Sequence, residues 1–412
     1  MMTTRLTEEE QHMLRGDHGE AVRFAMEAIV RLARGFGAEE LVEIVSVHAM
    51  GMYGDLHDAG LELLERLHRL GGRCRVQTTQ DPASISFAHW QRMGIPPAYA
   101  DKQFRLARLA EALGEQPLWS CTPYQASNVP AFGQNVAWAE SSAVSFANSV
   151  LGARTNRTPA GLAICAALTG RMPKVGLYRS ENRVAHLKVV VDAGELSALD
   201  YHTLGILLGK RVGTTIPALA GIPSGVSHDD LKSLGAAAAA SGAVALYHVI
   251  GVTPEACRAD PFGGQPPSGE LRVRREDLEA TARELQTANP GCVDLVVAGC
   301  PHYSLAEVRR LAGLLRGRRV VPGKGLWVYT SAEVERQATA EGLLATLEAG
   351  GVEVLAQTCA VMSPLPKCFR TLMTDSGKYA SYLPSEHGVE VVYGGIDACV
   401  RAVTAVCGRI GA

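Results

Sequence analysis

Three cysteines stand where a fold could make them act together. Cys121 closes the run PLWSC, Cys300 follows the apolar residues 293–298, and Cys359 follows VEVLAQT. Each run reads as a β-strand, and in open parallel sheets ligands bind just beyond the carboxyl ends of the strands. Three thiolates brought to one crevice suit a soft metal or an iron–sulfur cluster. Two other readings stay open. Cysteine is commonly just a small buried residue. Cys300 and His302 could instead form a nucleophilic pair, although two residues apart on one segment they would not readily face each other.

Polar side chains gather around the first cysteine and past the other strand ends. The stretch 118–157 carries Glu140, Ser141, Ser142, Ser145, Asn148 and Ser149 among alanine, valine, tryptophan and phenylalanine. A helix beginning near Val136 would set Glu140, Ser141, Ser145, Asn148 and Ser149 within about three turns. A small-residue helix packed against a neighbour, its serines bonded back to its own carbonyls, accounts for the same pattern. Beyond the run 41–47 come His48 and the turn Gly51-Met52-Tyr53-Gly54, which could cradle an anion on its amides or be simply a turn. Beyond the run 73–78 come residues 79–82, with Asp81 and Pro82 at their end. The run Thr374-Asp-Ser-Gly-Lys378 lacks the spacing of a phosphate-binding loop, which excludes nucleotide binding on that ground. Lys378 is either a mobile point charge for a carboxylate or phosphate or a solvated surface lysine.

These residues need a scaffold of alternating strands and helices. Residues 7–36 read as two amphipathic helices; 41–47, 58–70 and 73–78 come next as strand, helix and strand, the βαβ signature of a parallel sheet. A long helix then leads to PLWSC. Between 161 and 233 the pattern is less readable: strand-like pieces at 174–178 and 186–191, and a helix at 200–209. From 293 the order is clearest, with strands at 293–298, 325–329 and 352–356 and helices at 304–315 and 331–349. Ser304 and Glu307 form a capping box there. This is a doubly wound βαβαβ unit. The expected lobes are 1–160, 161–285 and 286–412.

Bulk properties narrow the class. The chain has 412 residues, 47% of them apolar and 20% charged, which suits two or three packed α/β lobes. A net charge of −2 with no run of one sign argues against nucleic acid as a partner. Ten cysteines without a CxxC pair, and no signal-peptide pattern at the start, point to reduced thiols and a soluble cytoplasmic protein. The alanine-rich stretch 234–251 brings too little transfer energy for a membrane span and reads as a buried helix.

Taken together, the motifs resemble the aconitase X family, specifically the large subunit of its two-subunit form. The resemblance covers essentially the whole chain. It is carried by SCTPYQASNVPAFGQNVAWAESSAVSFANSVLGARTNR, by LGAAAAASGAVALYHVIGVTPEA, by GCPH at 299–302, by Gln357-Thr-Cys359 and by TDSGK at 374–378. It implies an aconitase-superfamily fold, with several α/β/α lobes and mostly parallel sheets around a central cleft. It implies a hydro-lyase that dehydrates a small β-hydroxy carboxylate, with an iron–sulfur cluster on Cys121, Cys300 and Cys359. Substrate contacts are implied at Gly51, Met52, Tyr53, Asp81, Pro82, Glu140, Ser141 and Lys378. Glu140 would orient the leaving hydroxyl or, with its pKa raised by burial, protonate it; Ser141 and Lys378 would stabilise charge at the substrate carboxylate. A separate small subunit is implied, supplying a serine as proton acceptor.

The family dehydrates mevalonate 5-phosphate in archaea and cis-3-hydroxy-L-proline in bacteria. Where the archaeal pattern has a small hydroxyl residue this chain has Met52 and Tyr53, and where it has asparagine this chain has Asp81. A carboxylate disfavours a doubly charged phosphate and tolerates a ring ammonium, so hydroxyproline is the expected substrate and mevalonate 5-phosphate the alternative. A cluster-free thiol hydrolase and a non-catalytic scaffold are the readings from other classes.

Overall fold

Two helices open the described part of the chain, residues 4–406 of this computed structural model. Thr7 caps Glu8–Arg15 in a reciprocal capping box with Glu10. Glu20–Gly35 buries the stripe Val22, Met26, Ile29, Val30 and Ala33 and packs against Ala160–Thr169.

Three parallel sheets carry the architecture. In the first, Ser46–Ala49 lies between Gln77–Gln80 and Val136–Trp138. The second runs His248–Val249, Pro217–Ala220, Leu187–Asp192, Gly269–Arg274. The third runs Glu353–Ala356, Gly325–Thr330, Leu295–Tyr303, Thr371–Thr374, Glu390–Tyr393, so the chain starts in the middle and winds outward both ways. Antiparallel pairs Leu41–Glu43 with Arg171–Pro173 and Arg318–Val320 with Thr404–Val406 complete the strands among the described residues. Each parallel sheet builds its own apolar core. A fourth core, with Ile85, Ile206, Leu295, Tyr329 and Tyr379, joins segments from all three. The α/β class with mostly parallel sheets is therefore as expected.

Several elements differ from the sequence reading. The run 41–47 is two strands in two sheets: Ile44 and Val45 break it, their amides donating to Gly170 O and Asn135 O instead of continuing one ladder. PLWSC forms no strand; only Gln116 bridges to Thr79, so Cys121 sits in a loop. Val136–Trp138 is a fully buried strand, and the helix begins at Ser141 with Glu140 as its cap. An apolar run of three cannot distinguish the two. Residues 174–178 are a turn, not a strand, and 331–349 is two helices broken at Gly342.

The alanine-rich helix is His228–Gly242, buried from Leu231 to Ala239, and it ends eight residues after Leu234 rather than at Gly251. It crosses Ala198–Val212 with backbone against backbone. A Cβ on Gly242 would fall 1.9 Å from Gly209 O, and one on Gly205 would fall 2.3 Å from Leu234 O. No helix among the described residues is long and apolar enough to cross a membrane. Every cysteine among them is free; Cys407 lies outside them.

Candidate active site

One histidine ties the three cysteine-bearing segments together. His302 donates its backbone N–H to Cys121 Sγ at 3.3 Å. Its Nδ1 lies 3.0 Å from Ser120 Oγ and its Nε2 lies 2.8 Å from Thr358 O. A carbonyl only accepts, so Nε2 carries the proton and Nδ1 accepts from the serine. Burial pushes this ring down to about 4, so it is neutral at pH 7, its bond to Thr358 O only partly opposing the shift. Cys300 is two residues away on the same strand, held by Ser376 Oγ donating to its carbonyl at 2.5 Å.

Gly299 permits this turn of chain. Its φ is +96°, and a Cβ would fall 2.1 Å from Tyr329 O, where the strand's register with Gly325–Thr330 shifts. Both ring nitrogens of His302 are engaged, so Cys300 and His302 do not form a nucleophile–base pair. Burial pushes the thiols of Cys121, Cys300 and Cys359 above their ordinary range, with carboxylates nearby adding to it for Cys121. Thiols in that state are poor nucleophiles unless a cation stabilises the thiolate.

The loop after Gln77–Gln80 locks against the Cys359 loop. Ala83 N donates to Gln357 O at 2.8 Å and Thr358 Oγ1 to Ala83 O at 3.0 Å, which places Asp81 and Pro82 beside them. Asp81 is fully buried, and neither of its oxygens has a hydrogen-bond partner in the protein. Desolvation raises its pKa to about 6, with His48 pulling the other way. Gln103 clamps the Gly51 turn: its Nε2 donates to Gly51 O, and its Oε1 accepts from the amides of Tyr53 and Ser84. Gly54 N donates to Ser84 Oγ. The amides of Tyr53 and Gly54 are therefore spent within the protein and form no anion cradle. Met52 is buried. The Tyr53 hydroxyl donates to the exposed Asp58 at 3.1 Å. At Gly51 a Cβ would fall 2.6 Å from the Trp119 ring. Gly51→Ala is expected to destabilise the protein by about 1–3 kcal/mol through overpacking, measurable by urea denaturation; an unchanged midpoint would mean that Trp119 simply moves aside.

Glu140 and Lys378 form a buried ion pair, Nζ to Oε1 at 2.5 Å. Ala143 N donates to Glu140 Oε2 at 2.6 Å, Ser142 Oγ donates to the same oxygen, and Ser141 Oγ lies 3.5 Å from Lys378 Nζ. Burial alone would raise Glu140, but the Lys378 ammonium and these donors bring it down to about 2. Lys378 stays charged: burial opposes its proton, while Glu140 and then Cys300 hold it well above the ordinary lysine range. Glu140 is thus a fixed carboxylate, and the expectation of a raised-pKa proton donor is not met. Ser145 is buried with no hydrogen-bond partner for its hydroxyl, while Asn148 bonds to Thr155 and Arg183 and Ser149 accepts from Tyr247 N. They hold the fold.

The sequence reading passed over two partners, Lys232 and Gln103, and gave a third, His48, no role. Lys232, buried, donates to His302 O, Glu307 and Asp229. Gln103 and His48 were visible only as a polar residue on an apolar helix and a histidine at a strand end.

No three His, Cys, Asp or Glu side chains among the described residues are grouped as ligands of a single metal ion. A cluster spreads its thiolates over several irons and needs a wider set. Three soft thiols on segments fixed by one histidine, with the unpartnered Asp81 in electrostatic range of Cys121 and Cys359, fit that group.

Comparisons with known proteins point to one family. Family models match as aconitase X first domain over residues 3–181, second domain over 185–283 and third domain over 293–405. The cis-3-hydroxy-L-proline dehydratase of Pseudomonas aeruginosa is 43% identical over 98% of this chain and 70% of its own length. The phosphomevalonate dehydratase large subunit of Methanothermobacter thermautotrophicus is 42% identical over 93% and 95%. The crystal structure of the holo-form of Thermococcus kodakaraensis aconitase X superposes with a TM-score of 0.89 at 35% identity, covering 97% of this chain and all of that one. The protein is a dehydratase, a hydro-lyase that eliminates water from its substrate. Within that class the chain belongs to the aconitase X family.

Proposed function

We propose that this chain is the large subunit of an iron–sulfur dehydratase acting on cis-3-hydroxy-L-proline. The observation carrying the substrate choice is Asp81, a fully buried carboxylate with neither oxygen hydrogen-bonded within the protein. A secondary ammonium satisfies such a group, whereas a phosphate ester is repelled by it. The P. aeruginosa relative, 43% identical, supports the same choice. Mevalonate 5-phosphate is the second reading, favoured by one observation: the chain spans 95% of the M. thermautotrophicus large subunit and 70% of the hydroxyproline enzyme.

Cys121, Cys300 and Cys359 would hold the cluster, which supplies a Lewis acid for the leaving hydroxyl. Lys378 and Ser141 receive the substrate carboxylate, where charge builds as the Cα proton departs. Glu140 fixes Lys378 and orients the hydroxyl. Asp81 takes the ring ammonium, and Gly51, Met52, Tyr53 and Pro82 form the wall. The Cα proton and the C3 hydroxyl leave together as water; the ring enamine that remains tautomerises to Δ1-pyrroline-2-carboxylate. A serine of a small subunit is the proton acceptor, a reading supported by the "large subunit" relatives. The chain works in the cytoplasm as a heterodimer, with lobes at 1–160, 161–285 and 286–412.

The test is anaerobic co-expression with the small subunit, followed by an absorption spectrum and dehydration assays on both substrates. Visible iron-dependent absorption, lost in Cys121→Ser, Cys300→Ser and Cys359→Ser, is expected together with turnover of hydroxyproline. Absorption surviving all three substitutions would sink the ligand assignment. Turnover of mevalonate 5-phosphate alone would overturn the substrate.

A further inference from the structure

A line of buried hydrogen bonds runs beneath Asp81 and stops at His48, one contact short of it. Asn128 Nδ2 donates to Thr79 Oγ1 at 2.9 Å. Thr79 Oγ1 lies 2.9 Å from His48 Nδ1 and 3.5 Å from Val47 O. The threonine hydroxyl has one proton and two acceptors in reach, Val47 O and the nearer His48 Nδ1, and a proton given to Nδ1 makes that nitrogen the acceptor of the ring. The ring proton of a neutral imidazole then sits on Nε2. That nitrogen stands 3.6 Å from Asp81 Oδ1 and has no other partner. Asn128, Thr79, His48 and Asp81 are all at most 1% exposed. The Trp138 ring meets the His48 ring edge-on, with centroids 5.9 Å apart, and holds its plane.

We propose that His48 is the positioning residue for Asp81. Its Nε2–H fixes Oδ1 and leaves Oδ2 for the ammonium of the substrate, so this inference rests on the reading of Asp81 given above. A neutral imidazole suits the task better than a lysine or arginine, because it supplies a donor without a charge that would repel the ammonium. A gap of 3.6 Å is longer than a hydrogen bond. Such contacts in ligand-free sites commonly close when the substrate arrives. Asn128 and Thr79 act one step further out, setting the tautomer, as partners of a site's first residues do elsewhere.

The test is a double-mutant cycle on the enzyme with its small subunit: His48→Leu, Asp81→Asn and both together, with His48→Gln and Thr79→Val alongside. Glutamine keeps an N–H near the position of Nε2. Valine is nearly isosteric with threonine and removes the hydroxyl, leaving Asn128 Nδ2 with Val47 O at 3.1 Å, which guards against a His48→Leu variant that fails to fold. The readouts are KM and kcat for cis-3-hydroxy-L-proline, dissociation constants for L-proline and for tetrahydrofuran-2-carboxylate, and visible absorption. The last ligand carries a ring oxygen in place of the ammonium.

His48→Leu is expected to raise KM and the L-proline dissociation constant roughly 10–100-fold. It should leave the ring-oxygen ligand and the absorption unchanged, and add little once Asp81 is asparagine. Glutamine should recover most of the loss, and Thr79→Val should fall between. Additive effects in the cycle, equal weakening of both ligands, or an unaltered L-proline constant in His48→Leu and Thr79→Val would each overturn the proposal while Asp81 kept its role. Asp81→Asn without effect on L-proline, or no L-proline binding by the unaltered enzyme, overturns the reading of Asp81 and this inference with it.

Discussion

Lys378→Met is expected to lower kcat roughly 10²–10³-fold and to destabilise the protein by about 3–5 kcal/mol. The two losses have different origins. The first is the loss of a preorganised cation at the substrate carboxylate. The second comes from Glu140, whose side chain is 7% exposed and whose Oε1 is 2.5 Å from the missing ammonium. Ser142 and Ala143 still donate to its other oxygen, but a buried carboxylate without a counter-charge is costly.

The pH dependence is set by Glu140. Its folded pKa is depressed, from an ordinary 4.5 to about 2. The pair's contribution is therefore complete above about pH 4.5 and is lost as pH falls towards 2. In Lys378→Met this acid-range loss should shrink. Adding Glu140→Gln to it should return much of the stability and none of the activity. Urea unfolding at pH 7 and pH 3, run beside steady-state kinetics, separates the two effects. A Lys378→Met protein as stable as its parent would refute the buried-pair account.

His302→Ala should be the most damaging change to the three cysteine segments outside the cysteines themselves. It removes the acceptor of Ser120 Oγ and the donor to Thr358 O at once. The buried carbonyl and the space left by the ring together cost about 2–4 kcal/mol. The larger effect is on geometry, since Cys121 and Cys359 lose the side chain that fixes their distance from Cys300. Iron content and visible absorption after anaerobic purification should fall by at least about 10-fold, within the range seen for outer-shell partners of metal ligands. His302→Gln should keep part of both. Full iron loading in His302→Ala would mean that the loops are held elsewhere.

The C-terminal lobe was legible because its central strands are buried on both faces and read as unbroken apolar runs, with Ser304 and Glu307 marking a helix start. The same signal misled at 41–47, where an apolar run passes from one sheet to another without a polar residue at the break. At 136–138 three apolar residues could not announce a strand. Cys359 was legible because it stands just beyond the end of an apolar strand, and Cys300 because it follows the apolar half of one that runs on to Tyr303. Cys121 was placed at the end of a strand that does not exist, and it is near the others because His302 reaches across 181 residues to bind it. Pairings of that kind carry no local pattern. Neither does the clamp of Gln103 on the Gly51 turn, fifty-two residues away.

The crossing of Ala198–Val212 and His228–Gly242 has a consequence for how the molecule tolerates change. A Cβ on Gly242 would meet only the backbone of Gly209, and one on Gly209 would meet the backbone of Ala238 and Gly242 at 2.7 Å besides Ser241 Oγ at 2.0 Å, so little there could yield. The pair also presses on Gly377, where a Cβ would meet Ile206 Cγ1 at 3.0 Å and His202 O at 3.1 Å. A single methyl added at the crossing would therefore be transmitted as a displacement to the helix start bearing Lys378. Plain alanines and glycines in this chain set a tolerance as narrow as that of the charged residues they carry.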